Sequence, residues 1–200
     1  MTICAVFFDL GGVILRTELA APRTNLAQSL GKTYAEIDKL VFENESSRQA
    51  SLGLISEDQH WQNVARSLDL PETRIEYLRT EFFAGDRLDL ELVELMHNLR
   101  PAVRVGLISN AWNGLRDWIT SQNFADVFDD MVISAEIGIA KPDVRIYQAA
   151  MQNLRVLPHE SVFLDDTLRN VEAARNVGMH AIHFLQPAQA IAQLKALLAA

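Results

Sequence analysis

The sequence contains one cysteine, no long hydrophobic run and no basic leader. Cys4 has no second cysteine with which to form an internal disulfide, and it lies within an apolar run. We therefore expect it to be a small core residue in a protein of the reducing cytoplasm. No stretch approaches the roughly 20 apolar residues that a membrane-spanning helix needs, and the first residues resemble no secretion signal. We expect neither export nor membrane anchoring.

Positive charge is also scarce. The chain has 18 Lys and Arg against 26 Asp and Glu, which gives a formal net charge of −8. No basic stripe with interleaved aromatic residues appears, so we expect no nucleic-acid partner and instead a small-molecule ligand. The Ala- and Leu-rich segment 191–200 reads as a terminal helix that packs on the core or on a second subunit, so monomer and homodimer both stay open.

The apolar residues that are present predict an α/β protein. With 49% hydrophobic residues in 200, the chain can bury one good core. Helix-like segments separate the last four of five short Val-, Ile- and Phe-rich runs, and this alternation predicts a parallel sheet with helices on both faces, a three-layer α/β core. The five predicted strands are Ile3–Phe8, Val103–Ile108, Met131–Ser134, Val162–Leu164 and Ala181–Leu185.

Residues 16–86 interrupt this alternation. We find no strand pattern there and instead several amphipathic helical patterns, among them a capping box at Ser56 and Gln59 and a helix that begins near Pro71 and ends at Gly85. We predict a discontinuous catalytic core of residues 1–15 and 87–200, with residues 16–86 inserted as a small helical cap that stands over the crevice.

Four polar positions follow apolar strands and predict a site at the carboxyl edge of the sheet. Asp9 ends the first run and can serve as nucleophile or metal ligand, while Ser109-Asn110 offers a hydroxyl and backbone N–H groups to an anion. Lys141 adds a positive charge, and Asp165-Asp166 can hold a hard cation such as Mg²⁺. Together these parts indicate phosphoryl transfer.

Each position also has a structural interpretation when it is taken alone. Asp165-Asp166 can cap the following helix, Ser109-Asn110 can form a turn, and Lys141 can be a solvated loop lysine. Asp9 is harder to explain in this way, because an acid directly after a buried run needs a partner or solvent. The order of all four positions favours the functional interpretation.

In this order and spacing, Asp9, Ser109, Lys141 and Asp165-Asp166 match the four motifs of the haloacid dehalogenase-like hydrolase superfamily, which the chain resembles over essentially its whole length. The helical insert resembles the group with a type 1 cap, which includes sugar-phosphate phosphatases and the amino-terminal phosphatase domain of soluble epoxide hydrolases. The resemblance implies a Rossmann-like core and a Mg²⁺-dependent phosphatase that forms an aspartyl-phosphate.

The resemblance also implies residue roles. Asp9 would be the nucleophile, with Lys141 and Ser109 as further catalytic residues. Phosphate would be bound by Ser109, Asn110, Lys141 and Gly12. The metal group would be Asp9, the Gly11 carbonyl and Asp166, with Asp165 in the outer shell.

One position departs from the pattern of most phosphatases in this superfamily. They carry a second Asp two residues after the nucleophile as general acid and base, and this chain has Gly11 there. General acid–base help is typically worth about 10²–10⁴ in rate. We therefore expect reduced activity on poor leaving groups and, as a first candidate substrate, a sugar 1-phosphate, whose anomeric oxygen leaves easily. Glu18 and His60 are alternative proton donors by position, although surface placement is expected for both.

Two alternatives stay open. A 2-haloacid dehalogenase would use Asp9 without metal and needs no acid, which suits Gly11, but such enzymes have no use for the acids at positions 165 and 166. A non-catalytic binding module would keep the metal and phosphate pocket without turnover. Arg16 and Arg23, early in the insert, are further candidates for contact with an anionic substrate, with solvated arginines as the default expectation.

Overall fold

A computed structural model describes residues 2–199. Its centre is a five-stranded parallel sheet with the strand order β5-β4-β1-β6-β7, and a separate antiparallel ribbon joins β2 and β3. All five strands predicted from the sequence belong to the large sheet. The strands are β1 (Ala5–Phe8), β2 (Leu15–Thr17), β3 (Asp86–Leu88), β4 (Arg104–Ser109), β5 (Asp130–Ile133), β6 (Ser161–Asp165) and β7 (His180–His183).

The central strand β1 is buried on both faces, which explains its continuous apolar sequence. Val6 and Phe8 point into one hydrophobic cluster, and Ala5 and Phe7 point into a second cluster on the opposite face. Phe8 is in register with Leu107 of β4 and with Leu164 of β6. The residues that follow these strands therefore meet at one edge of the sheet.

Helices cover both faces of the sheet and fill the segment between β2 and β3. The predicted cap at Ser56 is observed, and Asp89 and Asp143 also cap their helices. Pro71, however, precedes a 3₁₀ turn rather than the first turn of an α-helix. The helices are α1 (Ala21–Ser29), α2 (Tyr34–Phe42), α3 (Glu45–Ser51), α4 (Glu57–Ser67), α5 (Ile75–Phe83), α6 (Leu90–Leu99), α7 (Leu115–Ser121), α8 (Ser134–Ile137), α9 (Val144–Leu154), α10 (Leu168–Asn176) and α11 (Pro187–Leu198).

The β2–β3 ribbon corrects the expectation that residues 16–86 contain no strand. Arg16 and Thr17 pair with Arg87 and Asp86, and Thr17 Oγ1 donates to Asp86 Oδ1 at 2.6 Å. Strands of three residues carry too little periodicity to be recognised in sequence, and cross-strand partners about 70 positions apart are invisible without the fold. The boundaries predicted at 15/16 and 86/87 fall inside this ribbon, and the division into core and cap stays a prediction.

Helices α1, α2, α4 and α5 pack around a hydrophobic cluster of their own. Its buried members lie on one face of each of four helices, with Trp61 and Phe82 as the largest. The cluster comprises Leu26, Ala27, Ile37, Val41, Trp61, Val64, Leu78 and Phe82. Trp112 also packs against this cluster, although it lies in the loop after β4 and not in one of these helices. Among residues 2–199, no helix is long and apolar enough to cross a membrane.

Candidate active site

Asp9 directly follows β1 and lies at the carboxyl edge of the sheet. Its backbone N–H donates to the Leu164 carbonyl at 2.9 Å, which continues the pairing of β1 with β6. Its Oδ1 accepts from the Leu10 N–H at 2.7 Å and lies 2.8 Å from Lys141 Nζ. Gly11, two residues on, is exposed. The carboxylate is therefore fixed through one oxygen beside an open turn.

Lys141 is a buried cation between two carboxylates. Its Nζ lies 2.8 Å from Asp9 Oδ1 and 2.7 Å from Asp165 Oδ2, and its side chain is 1% exposed. The Asn110 carboxamide holds its backbone from both sides, since Asn110 Nδ2 donates to the Lys141 carbonyl and Asn110 Oδ1 accepts from the Lys141 N–H. The interpretation of Lys141 as a solvated lysine is therefore wrong. Asn110 positions Lys141, and its contact with phosphate stays a prediction.

Asp165 is fully buried, and both of its oxygens are occupied. Its Oδ1 accepts from the Thr167 N–H at 2.8 Å, and its Oδ2 accepts from Lys141. Asn170 Nδ2 lies 3.1 Å from each oxygen. Helix α10 begins after Thr167 without a side-chain cap hydrogen bond, so the helix-cap interpretation of Asp165 is not observed. Asn170 lies in α10, and its local sequence did not indicate a role at this site.

Asp166 lies beside Asp9 and Asp165 but is exposed. One ligand oxygen from each of the three acids falls within 4.8 Å of the others. A Cβ on Gly12, whose φ is +72°, would lie 2.2 Å from Asp166 Oδ2, so only glycine allows this carboxylate so close to the turn. A second contact that the sequence did not indicate fixes the backbone of Asp166, whose carbonyl lies 2.8 Å from His183 Nε2.

The cluster contains more acidic than basic side chains. Burial raises the pKa of Asp9 to about 7, which outweighs the opposing effect of the Lys141 ammonium, and Asp165 and Asp166 raise it further. Burial likewise raises the pKa of Asp166, with the neighbouring Asp165 as the second cause. Three carboxylates therefore share one ammonium, and a divalent cation would offset their repulsion. An all-oxygen donor set is what Mg²⁺ prefers, so these residues fit such an ion.

Ser109 is the last residue of β4 and is buried with 2% exposure. The loop after it is held by Ser134, whose Oγ accepts from the Ala111 N–H at 3.0 Å and lies 3.2 Å from the Ala111 carbonyl oxygen. Ser134 begins α8 and was not recognised as part of this edge. Ser109 thus lies at the predicted edge, and phosphate binding by Ser109 and Gly12 stays a prediction.

The secondary candidates have structural partners. Glu18 is exposed, as expected, and pairs with Arg16. Arg16 makes a shorter ion pair with Asp89, in which Nη1 lies 2.7 Å from Oδ2. His60 is fully buried, so its expected surface placement is wrong, and burial lowers its pKa to about 4. Arg23 is also buried rather than solvated, and it pairs with acids of the helical segment.

The fold and this edge define a class of protein: a three-layer α/β core with a parallel sheet and a lysine-bridged cluster of aspartates at the carboxyl ends of its central strands. Residues 3–178 match the family model of the haloacid dehalogenase-like hydrolases. The chain belongs to this family, as the resemblance predicted, and is a hydrolase.

Relatives of full length are phosphatases. The sesquiterpene phosphatase of Aspergillus oryzae is 26% identical over 187 residues, which cover 91% of this chain and 90% of that protein. The D-ribitol-5-phosphate phosphatase of Bacteroides thetaiotaomicron is 25% identical over 185 residues, which cover 86% of this chain and 87% of that protein. A longer relative, acyl-CoA dehydrogenase family member 10 of Mus musculus, matches at 44% identity over 71 residues, which are 36% of this chain and 7% of that protein.

A solved structure confirms the fold. The crystal structure of a haloacid dehalogenase-family enzyme from Bacteroides thetaiotaomicron, in complex with magnesium and inorganic phosphate, superposes with a TM-score of 0.73. It is 22% identical to this chain, and the match covers 90% of this chain and 93% of that chain.

Proposed function

We propose that this hydrolase cleaves phosphate monoesters of small metabolites with Asp9 as the nucleophile and with Mg²⁺. The observation that carries the proposal is the contact of Lys141 with Asp9 and Asp165 in a cluster that also contains Asp166. One ammonium beside three carboxylates suits a site that takes up a cation and a phosphate dianion. The names of the two full-length phosphatase relatives support the reaction class.

The geometry of Asp9 supports nucleophilic attack. Its Oδ1 is held by the Leu10 N–H and by Lys141, and neither contact involves its Oδ2. In the proposed reaction one carboxylate oxygen of Asp9 forms a bond to phosphorus while the bond from phosphorus to the ester oxygen breaks. Water then attacks the aspartyl-phosphate, which returns the Asp9 carboxylate and releases phosphate.

A bound Mg²⁺ would supply charge stabilisation to the transferring phosphate, and Asp9 and Asp166 are the side chains proposed to hold it. Asp165 is proposed for the outer shell, since both of its oxygens already accept from Lys141, Thr167 and Asn170. The magnesium-and-phosphate complex of the solved neighbour supports this choice of metal. The Gly11 carbonyl is retained as a proposed ligand.

We further propose that residues 16–86 act as a cap over the site. Two contacts tie this segment to the core on the side away from the β2–β3 ribbon. The Glu57 N–H donates to Asn113 Oδ1 at 2.7 Å, and a Cβ on Gly53 would lie 2.3 Å from the Ala135 carbonyl, so these backbones are closely packed.

Gly11 leaves the proposed reaction without the usual acid and base. The charged side chains beside Asp9 are Lys141, Asp165 and Asp166, and the proposed reaction already uses them to hold phosphate and metal. Good leaving groups, which depart without a proton, should therefore be turned over best. A sugar 1-phosphate remains the candidate on this ground.

The test is phosphate release from a panel of esters with Mg²⁺ and with a chelator. The panel contains acetyl phosphate, an aryl phosphate, glucose 1-phosphate and glucose 6-phosphate, with Asp9→Asn as the control. We expect release that needs Mg²⁺ and Asp9, and that is fastest with the acetyl and aryl esters. Halide release from 2-chloropropionate without metal would establish dehalogenation instead, and a chain that binds Mg²⁺ but turns over nothing would be a binding module.

A further inference from the structure

The strongest unassigned feature is a row of three aromatic side chains between the helical segment and the core. We call Phe42, Phe83 and Trp112 the aromatic row. The Trp112 and Phe42 rings are stacked at 26° with centroids 6.1 Å apart, and Phe42 and Phe83 follow at 6.3 Å. The row is built from three separate parts of the chain.

One end of the aromatic row, Trp112, is close in sequence to the proposed site. Trp112 follows Asn110 by two residues, so their Cα atoms lie within about 7 Å of each other. Asn110 in turn holds the backbone of Lys141. At the other end, Phe83 precedes Gly85 by two residues, and the Gly85 carbonyl accepts from the N–H groups of residues 18 and 19 beside the β2–β3 ribbon. This ribbon leads directly back to the Asp9 turn.

The side chains of the aromatic row are also more exposed than the aromatic residues that fill the hydrophobic cluster. Trp61 and Phe82 behind it are fully buried and fill the hydrophobic cluster. In contrast, Phe42 is 45% exposed, and Phe83 and Trp112 are half-buried. Leu19, which is 52% exposed, adds apolar surface beside Gly85, since its Cβ lies 3.6 Å from the position of a Cβ on Gly85.

The arginines near the aromatic row already have hydrogen-bond and ion-pair partners. Arg23 lies over the Phe82 ring at 4.0 Å, and its nitrogens bind the Phe82 carbonyl, Tyr34, Asp38 and Asp86. Arg16 is paired with Asp89. The two arginines nearest the aromatic row are therefore paired, and the three rings present mainly carbon surface.

We infer that the aromatic row binds the organic group of the substrate and selects phosphate monoesters in which that group is apolar, either aromatic or long and aliphatic. The inference rests on the proposed phosphatase function, replaces the sugar 1-phosphate as the candidate substrate and makes Trp112 a specificity-determining residue. A flat or aliphatic group would lie on the rings while the phosphate occupies the Asp9 site. Removing such a group from water is worth about 25 cal/mol per Å² of apolar area, so the preference should be measurable.

The test compares octyl phosphate with ribitol 5-phosphate. Both are esters of primary alcohols, so their leaving groups differ little in reactivity and strongly in polarity. We expect kcat/KM to favour octyl phosphate by at least about tenfold, and Trp112→Ala to lower this ratio about tenfold through KM. Trp112→Phe should restore most of the ratio. Equal kcat/KM values, or a loss that is the same for both esters, would overturn the inference.

Two further variants separate recognition from folding. Phe42→Ala removes the most exposed ring and should lower the same ratio without loss of the folded state. Trp118→Ala serves as the matched control, since Trp118 packs against Phe124 in the core and should leave the ratio unchanged.

A binding measurement separates the inference from the proposed function. Calorimetry with Asp9→Asn and Mg²⁺ should show octylphosphonate binding at least about tenfold more tightly than ethylphosphonate. Tighter binding of octylphosphonate together with no ester turnover by the wild type would refute the phosphatase proposal alone. Equal binding of the two phosphonates would refute the aromatic row as the substrate surface.

Discussion

Two buried cations, one in each half of the molecule, lie between two aspartates. Lys141 in the sheet core contacts Asp9 and Asp165, and Arg23 in the helical segment contacts Asp38 and Asp86. Both side chains are almost completely buried. The two clusters differ, however, in whether their charged groups are all balanced by a partner.

The Arg23 cluster is closed. All three guanidinium nitrogens donate to carbonyl, hydroxyl or carboxylate oxygens, and the group also lies over the Phe82 ring at 4.0 Å. Asp86 additionally accepts from Thr17 in the β2–β3 ribbon. Such a network fixes α1, α2 and the ribbon relative to one another, and its satisfied groups leave little to bind a ligand.

The Lys141 cluster is open. It holds a third carboxylate, Asp166, and the pKa values of Asp9 and Asp166 are raised. The comparison teaches that a buried ion pair is not by itself evidence of a site. Excess charge of one sign at an exposed edge is what distinguishes the proposed active site from a structural network.

The sharpest test of this comparison replaces one aspartate by asparagine in each cluster. Asp9→Asn should reduce phosphate release by at least about 10³-fold, because the nucleophile is lost. It should not lower the free energy of unfolding, because burial already disfavours this charge. Asp86→Asn should keep activity within about threefold and lower the free energy of unfolding by about 1–3 kcal/mol. Kinetics and urea unfolding of both variants check this, and a reversed pattern would contradict the assignment.

The next effect concerns Arg23 alone. Arg23→Met leaves Asp86 without its buried cation, so we expect the free energy of unfolding to fall by about 3–5 kcal/mol. Arg48→Met is the matched control, since the Arg48–Glu45 pair is exposed to solvent and should contribute little to stability. Similar losses for the two variants, measured by urea unfolding, would show that the Arg23 network is not the stabilising element.

A smaller effect is expected from His60 in the helical segment. Burial lowers its pKa from 6.5 to about 4, so the unfolded chain binds more protons between these values. Its contribution to stability is intact above pH 6.5 and is lost as the pH falls toward 4. Between pH 7 and pH 5 the loss should be about 2 kcal/mol. Thermal unfolding of wild type and His60→Gln over this range should differ in slope, and parallel curves would show that His60 does not titrate as described.

The smallest expected effect restores an acid beside Asp9. A Cβ on Gly11 would meet no atom within 4 Å, so Gly11→Asp should fit without strain. We expect kcat for poor leaving groups to rise about tenfold or more, toward the range of general acid–base catalysis. Gly11→Asn has the same size without the acid and should give no gain. A rise with Asn, or none with Asp, would mean that proton transfer at this position does not limit the rate.

The main elements of the fold were predictable because each carries a local signal. The strands of the large sheet are continuous apolar runs, and Asp89 and Asp143 precede their helices as caps. The β2–β3 ribbon was missed because its strands have three residues each. Helix α8, of four residues, was missed for the same reason.

The site was predictable as a set of positions but not as a network. Asp9, Ser109, Lys141 and Asp165 each follow or end a strand, and parallel strands bring their carboxyl ends to one edge. Asn170, Ser134 and His183 support this edge from other elements, and nothing in their local sequence marks them.

By itself, the sequence indicated the five strands of the large sheet and the acids that follow them, because apolar runs and the residues that end them are local signals. Tertiary structure alone decided that Arg23 and His60 are buried, that Asn110 holds Lys141 and that Trp112 leaves the core to join Phe42. These outcomes depend on contacts between residues distant in the chain. Burial and charge pairing come from those contacts, and local patterns in the sequence do not reveal them.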